Sequence, residues 1–178
     1  MRKDLIRKII AIVGPSGSGK STFSRMLEVL GIPAVVSYTT RPMRENEQNG
    51  RDHWFVDVSQ VPPQSDMMAY TRFGNYEYWT IKEQFNGLCN YVVDEKGLVY
   101  LKKVINPENI ISVYLNRSES KRKESGISSE RIARDDDRPP FKEEDYDYYI
   151  INEGTKEDLF EQAKLFMKYC CLFGLPEE

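Results

Sequence analysis

Ile9-Ile10-Ala11-Ile12-Val13-Gly14-Pro15-Ser16-Gly17-Ser18-Gly19-Lys20-Ser21 is the stretch from which the fold can be read. Its first five residues are apolar and mostly β-branched with no polar alternate, the pattern of a strand covered on both faces. The next eight fit G-x-x-x-x-G-K-[ST], and an amphipathic run opens at Lys20. In that strand-to-helix setting the glycines let the chain turn back. Successive backbone N–H groups then face inward toward phosphate oxygens, and the following helix adds the positive end of its dipole. Lys20 would reach the β- and γ-phosphates and Ser21 a Mg²⁺ ion. A Gly/Ser-rich loop without a ligand would explain neither Lys20 nor the placement between strand and helix.

The same rhythm continues outward from this stretch. Lys8 to Val13, Ala34 to Ser37, Cys89 to Asp94, Asn109 to Leu115 and Tyr148 to Ile151 read as buried strands. Lys20 to Leu30, Glu95 to Ile105, Ser128 to Asp137 and Lys156 to Phe173 read as the crossover helices. The expected class is α/β around a parallel sheet. A chain of 178 residues makes one domain. With 25 basic against 28 acidic side chains the net charge is −3, so no global basic field holds nucleic acid or an anionic membrane, and any anion site is local. Cys89, Cys170 and Cys171 are an odd number without metal-ligand spacing, which excludes a disulfide framework or zinc site and points to a reducing cytoplasm. The apolar run after Met1-Arg2-Lys3 is interrupted by Arg7 and Lys8 and ended by Gly14, too short for a membrane span.

Two stretches break the rhythm. Tyr38 to Phe85 carries Pro42, Pro62, Pro63, Gly50, Gly74 and clustered aromatics, as expected of a substrate-facing insertion. Within it, Arg41 and Arg44 stand three apart after Ser37-Tyr38-Thr39-Thr40, able to fork onto one phosphate from two sides. Arg117 to Asp145 interleaves Arg122, Lys123, Arg131, Arg134 and Arg138 with acids, which taken alone reads as a solvated helix pair with intrahelical ion pairs. Asp94 ends the run Tyr91-Val92-Val93. A sheet's carboxyl end would present it beside the phosphate loop, as a metal-linked or substrate-binding acid or as a helix N-cap.

At these residues the chain resembles the guanylate kinases. The loop, Ser37 to Arg44, Asn49-Gly50-Arg51-Asp52-His53-Trp54-Phe55-Val56, Phe73-Gly74-Asn75-Tyr76, Val93-Asp94-Glu95-Lys96-Gly97 and Tyr146-Asp147-Tyr148-Tyr149-Ile150-Ile151-Asn152 occur in that family's order. The resemblance implies a P-loop three-layer fold with a parallel sheet. Its core would be 1–37, 89–116 and 141–178, with an inserted monophosphate-binding subdomain at 38–88 and a helical lid at 117–140. It implies transfer of the γ-phosphoryl of Mg-ATP to a nucleoside monophosphate, GMP first among them. Gly14, Ser16, Gly17, Ser18, Gly19, Lys20, Ser21, Thr22 and Asn152 would hold ATP, and Ser21 and Asp94 would hold Mg²⁺. Ser37, Arg41, Arg44, His53, Tyr78, Thr80 and Asp94 would hold the acceptor. Lys20, Arg131, Arg134 and Arg138 would stabilise the transferring group.

The chain departs from the family at four points, one of them the lid's usual R-G turn, which appears as Ser125-Gly126. His53 stands where a phosphate-binding Tyr is usual, the guanine-reading acid falls at Ala69, and Trp79 replaces a glycine after an inserted residue. Glu77 is then the acid available to read a base, and Trp79 a ring able to fill part of the pocket. Two other functions stay open: a kinase of another nucleotide or a ribosyl phosphate on the same fold, and a non-catalytic guanylate-kinase-like binding module.

Overall fold

The computed structural model describes residues 8–133, 135, 138 and 142–172. Five strands form a parallel sheet: β1 (Ile9–Val13), β2 (Ala34–Val35), β7 (Cys89–Val92), β8 (Ile110–Asn116) and β9 (Tyr148–Ile151), in the order β2-β7-β1-β8-β9. β1 lies at the centre, and all five of its residues are buried. Side-chain alternation sends Ile10 and Ile12 to one face and Ile9, Ala11 and Val13 to the other. On the first face they meet Phe23 and Leu27 of α1 (Lys20–Val29) and Leu159, Ala163 and Phe166 of α5 (Lys156–Leu172). On the second they meet Leu98 and Leu101 of α2 (Glu95–Val104). This is the three-layer packing that continuous apolar strands require.

A second, four-stranded sheet uses β3 (Tyr38–Thr39), β4 (Trp54–Phe55), β5 (Met67–Phe73) and β6 (Tyr76–Ile81), in the order β4-β3-β6-β5. β5 and β6 form a hairpin whose register closes at Phe73 and Tyr76 over Gly74-Asn75, with Gly74 at φ 57°. Ala69 of β5 packs into the apolar cluster shared with α2, so this sheet leans on the same core. Two short helices, α3 (Glu119–Glu124) and α4 (Ser129–Ala133), follow β8. The helix expected over 128–137 therefore ends at Ala133 within the described residues. Among those residues no helix is long and apolar enough to cross a membrane.

One polar network is buried in the core. Asn90 on β7 is fully buried, donates from Nδ2 to the Ile32 carbonyl at 2.8 Å, and accepts from the Ser24 hydroxyl at 2.6 Å. It ties α1 and the turn leading to β2 onto the sheet. Asn90→Ala leaves a buried carbonyl and a buried hydroxyl without their partner, at about 1–3 kcal/mol each. The expected outcome is a loss of about 2–5 kcal/mol, read from urea denaturation.

Candidate active site

The loop after β1 is built by close approach. Gly14 has φ 149°, and a Cβ there would stand 2.1 Å from the Leu115 carbonyl oxygen of β8. Gly19 has φ 101° and opens α1 with no side-chain cap, so the first-turn amides of the helix stay directed at the loop. Asn152 stands behind Gly19, its amide donating to the Ser18 carbonyl at 2.8 Å. With Gly19, Thr22, Arg117 and Lys156 it also lines a cavity of about 330 Å³ on the outer side of the loop.

Lys20 Nζ donates to the carbonyls of Gly14 and Pro15, both at 2.7 Å. Burial, then the charge of Arg138, pushes its ammonium down to about 7, against the opposing pull of Asp135 and Glu95. An ammonium so placed gains most from a polyanion arriving beside it.

Lys20 shares one cavity of about 260 Å³ with side chains from three separate parts of the chain. Ser16 and Ser21 come from the loop, Arg41, Arg44, His53 and Tyr78 from the second sheet and its connections, and Arg131, Asp135 and Arg138 from the charge-dense segment. A larger cavity of about 520 Å³ continues past Arg44, Tyr78, Asp94 and Arg138. A smaller one of about 120 Å³ runs beneath Thr71, Tyr78, Tyr91 and Asp94.

The two arginines of the Ser37–Arg44 segment are held differently. Arg41 Nη1 and Nη2 fork onto Glu47 at 2.9 and 2.8 Å, Nε donates to the Tyr78 phenol at 3.2 Å, and Nη1 also donates to the Pro42 carbonyl. Most of its donors are engaged. Arg44 is half exposed, its guanidinium meeting Glu47 at 3.5 Å. Arg41 is thus a fixed cation and Arg44 a reaching one. Glu47, which spacing alone did not single out, organises both. Burial works against its charge, yet hydrogen bonds from Arg41 and the Arg44 amide hold the carboxyl below its usual range. Ser37 and His53 meet at 2.9 Å, Oγ to Nδ1. Burial, then the Arg41 charge, pushes the His53 imidazole down to about 4, so at neutral pH it adds polarity without charge.

The segment after β8 is not the solvated face expected of its charges. Lys123–Glu119 and Lys121–Glu124 are such surface pairs. Arg122, however, is buried and donates to Asp135 at 2.7 Å and to the Ser16 carbonyl at 3.3 Å. Arg138 reaches Glu95 at 2.9 Å and the Gly14 carbonyl at 2.6 Å. Arg122, Asp135 and Glu95 were not legible as site residues because the contacts that tie them together and to the loop, Arg122–Asp135, Asp135–Ser16 and Glu95–Arg138, span more than ten positions. Arg134 lies outside the described residues.

Residues 6–91 match the family model described as Guanylate kinase. The chain is 28% identical over 172 residues to the guanylate kinase of Malacoplasma penetrans, covering 84% of this chain and 87% of that protein. It is 28% identical over 174 residues to that of Nitrobacter winogradskyi, covering 86% and 78%. The chain is similar to the guanylate kinases along most of its length. In fold it is similar to the crystal structure of a guanylate kinase from Anaplasma phagocytophilum, with a TM-score of 0.63 at 21% identity, covering 91% of this chain and 85% of that one.

The family's frame makes the departures readable. Trp79 does not fill the pocket: it is 2% exposed and stacks on Tyr38 with ring centroids 5.7 Å apart, on the opposite face of β6 from Tyr78. Thr80, expected to touch the acceptor, is completely buried and pairs with Ala69 across the hairpin. Glu77 does not read a base either, because its carboxylate accepts from the Tyr70 phenol at 2.9 Å on the other face of the hairpin. Ala69 belongs to the apolar cluster. The polar side chain of β5 that enters the small cavity is Thr71, two residues on along the same face, donating to Asp94 Oδ2 at 3.0 Å. Asp94 Oδ1 accepts from the Gly97 amide at 2.6 Å, so Asp94 is both the N-cap of α2 and a wall of the cavity.

A lysine whose pKa is lowered on folding binds fewer protons folded than unfolded between about 7 and its ordinary value near 10.5. Stability therefore rises with pH in that range, by up to about 1.4 kcal/mol per pH unit for one whole proton. His53 titrates below this range and Cys170, pushed up to about 12, above most of it. Urea denaturation of the protein between pH 7 and 8.5 is expected to show this rise, and Lys20→Met to flatten it.

Proposed function

We propose that the protein transfers the γ-phosphoryl group of Mg-ATP to the phosphate of GMP, giving ADP and GDP. The observation that carries this reading is the single cavity in which Lys20 and the loop face Arg44 and Tyr78 on one side and Arg131 and Arg138 on another. A donor phosphate chain along the loop amides and an acceptor phosphate at Arg44 would point their reacting atoms at each other. Positioning of this kind supplies much of the rate of phosphoryl transfer.

The acceptor phosphate is already a nucleophile, so the site needs no strong general base. His53 is the chain's sole histidine and is neutral. Lys20 and the guanidinium groups of Arg131 and Arg138 would neutralise charge on the transferring group, and the packing of the Arg122–Arg138 segment over the loop would keep water out. The Ser21 hydroxyl stands in the same cavity as Lys20 and fits as a ligand of Mg²⁺ together with phosphate oxygens. Both oxygens of Asp94 are engaged with Thr71 and Gly97, which fits a base-facing residue better than a metal ligand. When bound, Mg²⁺ would draw charge from the phosphate oxygens. Asp94 and Thr71 would accept hydrogen bonds from the N1–H and N2 amino groups of guanine. The three cysteines are free thiols, in keeping with a cytoplasmic setting.

The neutral hydroxyl of Thr71 at this wall favours one other reading, a kinase of the same type whose acceptor carries a different base or none. A coupled assay with Mg-ATP against GMP, dGMP, AMP, CMP, UMP, dTMP and ribose 1,5-bisphosphate decides between them. GMP is expected to give the highest kcat/KM. Turnover of another acceptor alone would move the assignment, and no turnover of any would leave a binding module.

Two variants test the roles. Lys20→Ala is expected to fold and to lose about 10²- to 10³-fold in kcat, as when one preorganised electrostatic contact is removed. Arg44→Ala is expected to weaken GMP binding by about 10- to 150-fold, the equivalent of about 1.5–3 kcal/mol for one charge-assisted hydrogen bond, and to leave ATP binding nearly unchanged in calorimetry.

A further inference from the structure

Asp135 holds the phosphate-binding loop as an anion would. Its Oδ2 accepts from the Ser16 backbone N–H at 2.9 Å and from Arg122 Nη1 at 2.7 Å. Its Oδ1 accepts from the Ser16 hydroxyl at 3.2 Å and pairs with Arg138 Nε at 3.1 Å. The side chain is 9% exposed. An ordinary ion pair between the segment and the core would need only the guanidinium groups. Here the carboxylate also takes a backbone amide of the loop itself, the kind of donor that the loop offers to phosphate oxygens. Arg138 secures the arrangement from the far side through Glu95 and the Gly14 carbonyl.

We propose that Asp135 is a built-in competitor of the donor nucleotide: its carboxylate occupies the Ser16 N–H and the Arg122 and Arg138 guanidiniums, and a phosphate chain must displace it to bind. The inference rests on the loop being the donor site. Competition follows from the geometry, because one amide hydrogen and two guanidinium faces serve either anion but not both. The observed donor affinity is then the intrinsic affinity reduced by the fraction of molecules in which the carboxylate has left. Displacement also hands Arg122 and Arg138, already aligned on the loop, from a carboxylate to the incoming phosphates. Arg122 and Arg138 thereby keep an anionic partner at the loop in either state, first a carboxylate and then a phosphate.

The test is calorimetric titration of sodium tripolyphosphate and of Mg-ATP, without acceptor, into the protein and its Asp135→Asn, Asp135→Glu and Asp135→Asn/Asp136→Asn/Asp137→Asn variants. The last covers replacement by the neighbouring acids. Hydrogen exchange at the Ser16 amide is measured alongside, before nucleotide is added. The expected result is that the triple variant binds tripolyphosphate about three- to thirtyfold tighter, as one removes a competing charge-assisted contact. Exchange at Ser16 should be faster in it, and Asp135→Glu should stay closer to the parent protein than Asp135→Asn does. Equal or weaker binding in both asparagine variants, with the parent protein binding normally, would overturn the proposal and make Asp135 a plain anchor of the segment. No binding to any of the proteins would instead remove the donor-site reading, and the proposal with it.

Discussion

The close approach of Gly14 to the Leu115 carbonyl is the constraint from which the site follows. β1 is buried on both faces and cannot end in solvent. It ends against β8, where only a residue without Cβ can turn the chain back at φ 149°. That turn places the loop carbonyls of Gly14 and Pro15 around Lys20 Nζ and starts α1 at Gly19 without a cap. The lysine is buried because of the turn, and its lowered pKa is a consequence of that burial.

The remaining charges show how a chain with a net charge of −3 keeps a cationic cleft without a basic surface. Each buried guanidinium has an acid of its own: Arg41 has Glu47, Arg122 has Asp135, and Arg138 has Asp135 and Glu95. A buried charge left unpaired is far more costly than one paired and hydrogen-bonded, so the acids allow the cations to sit where phosphates would need them. The same pairing fixes side-chain geometry. Arg41, anchored on four acceptors from Glu47, Tyr78 and Pro42, keeps one orientation, while Arg44 keeps its reach.

The second sheet sets its side of the cleft by the same economy of faces. Along β6 alternate residues go to opposite sides, so Tyr78 meets Arg41 in the cleft while Trp79 stacks beneath Tyr38. Across the hairpin Thr71 pairs with Tyr78 on this same face, and Thr71 comes to lie against Asp94. Ala69 and Thr71, two residues apart on one face, both line the small cavity, with Thr71 bringing the polar group, while Thr80, paired with Ala69 on the Tyr78 side of β6, is fully covered.

The sequence by itself determined the parallel core, the phosphate-binding loop and the kind of chemistry sought there. These are local: a β-branched run, glycines at set spacing and a lysine at a helix start carry their meaning within a dozen residues. It also singled out Arg41, Arg44, His53 and Tyr78, which the structure brings to one cavity with Lys20. Only the tertiary structure decided what those charges face. The stretch from Arg117 to Asp145 read as a solvated helix pair because its acids and bases alternate along the chain, and alternation is also what a solvated helix shows. Folding over the loop puts Asp135 on Ser16 and Arg138 on Glu95, contacts 119 and 43 residues apart in the chain. No local pattern encodes which acid meets which base across that distance. The choice belongs to the packing that brings the segment to the loop.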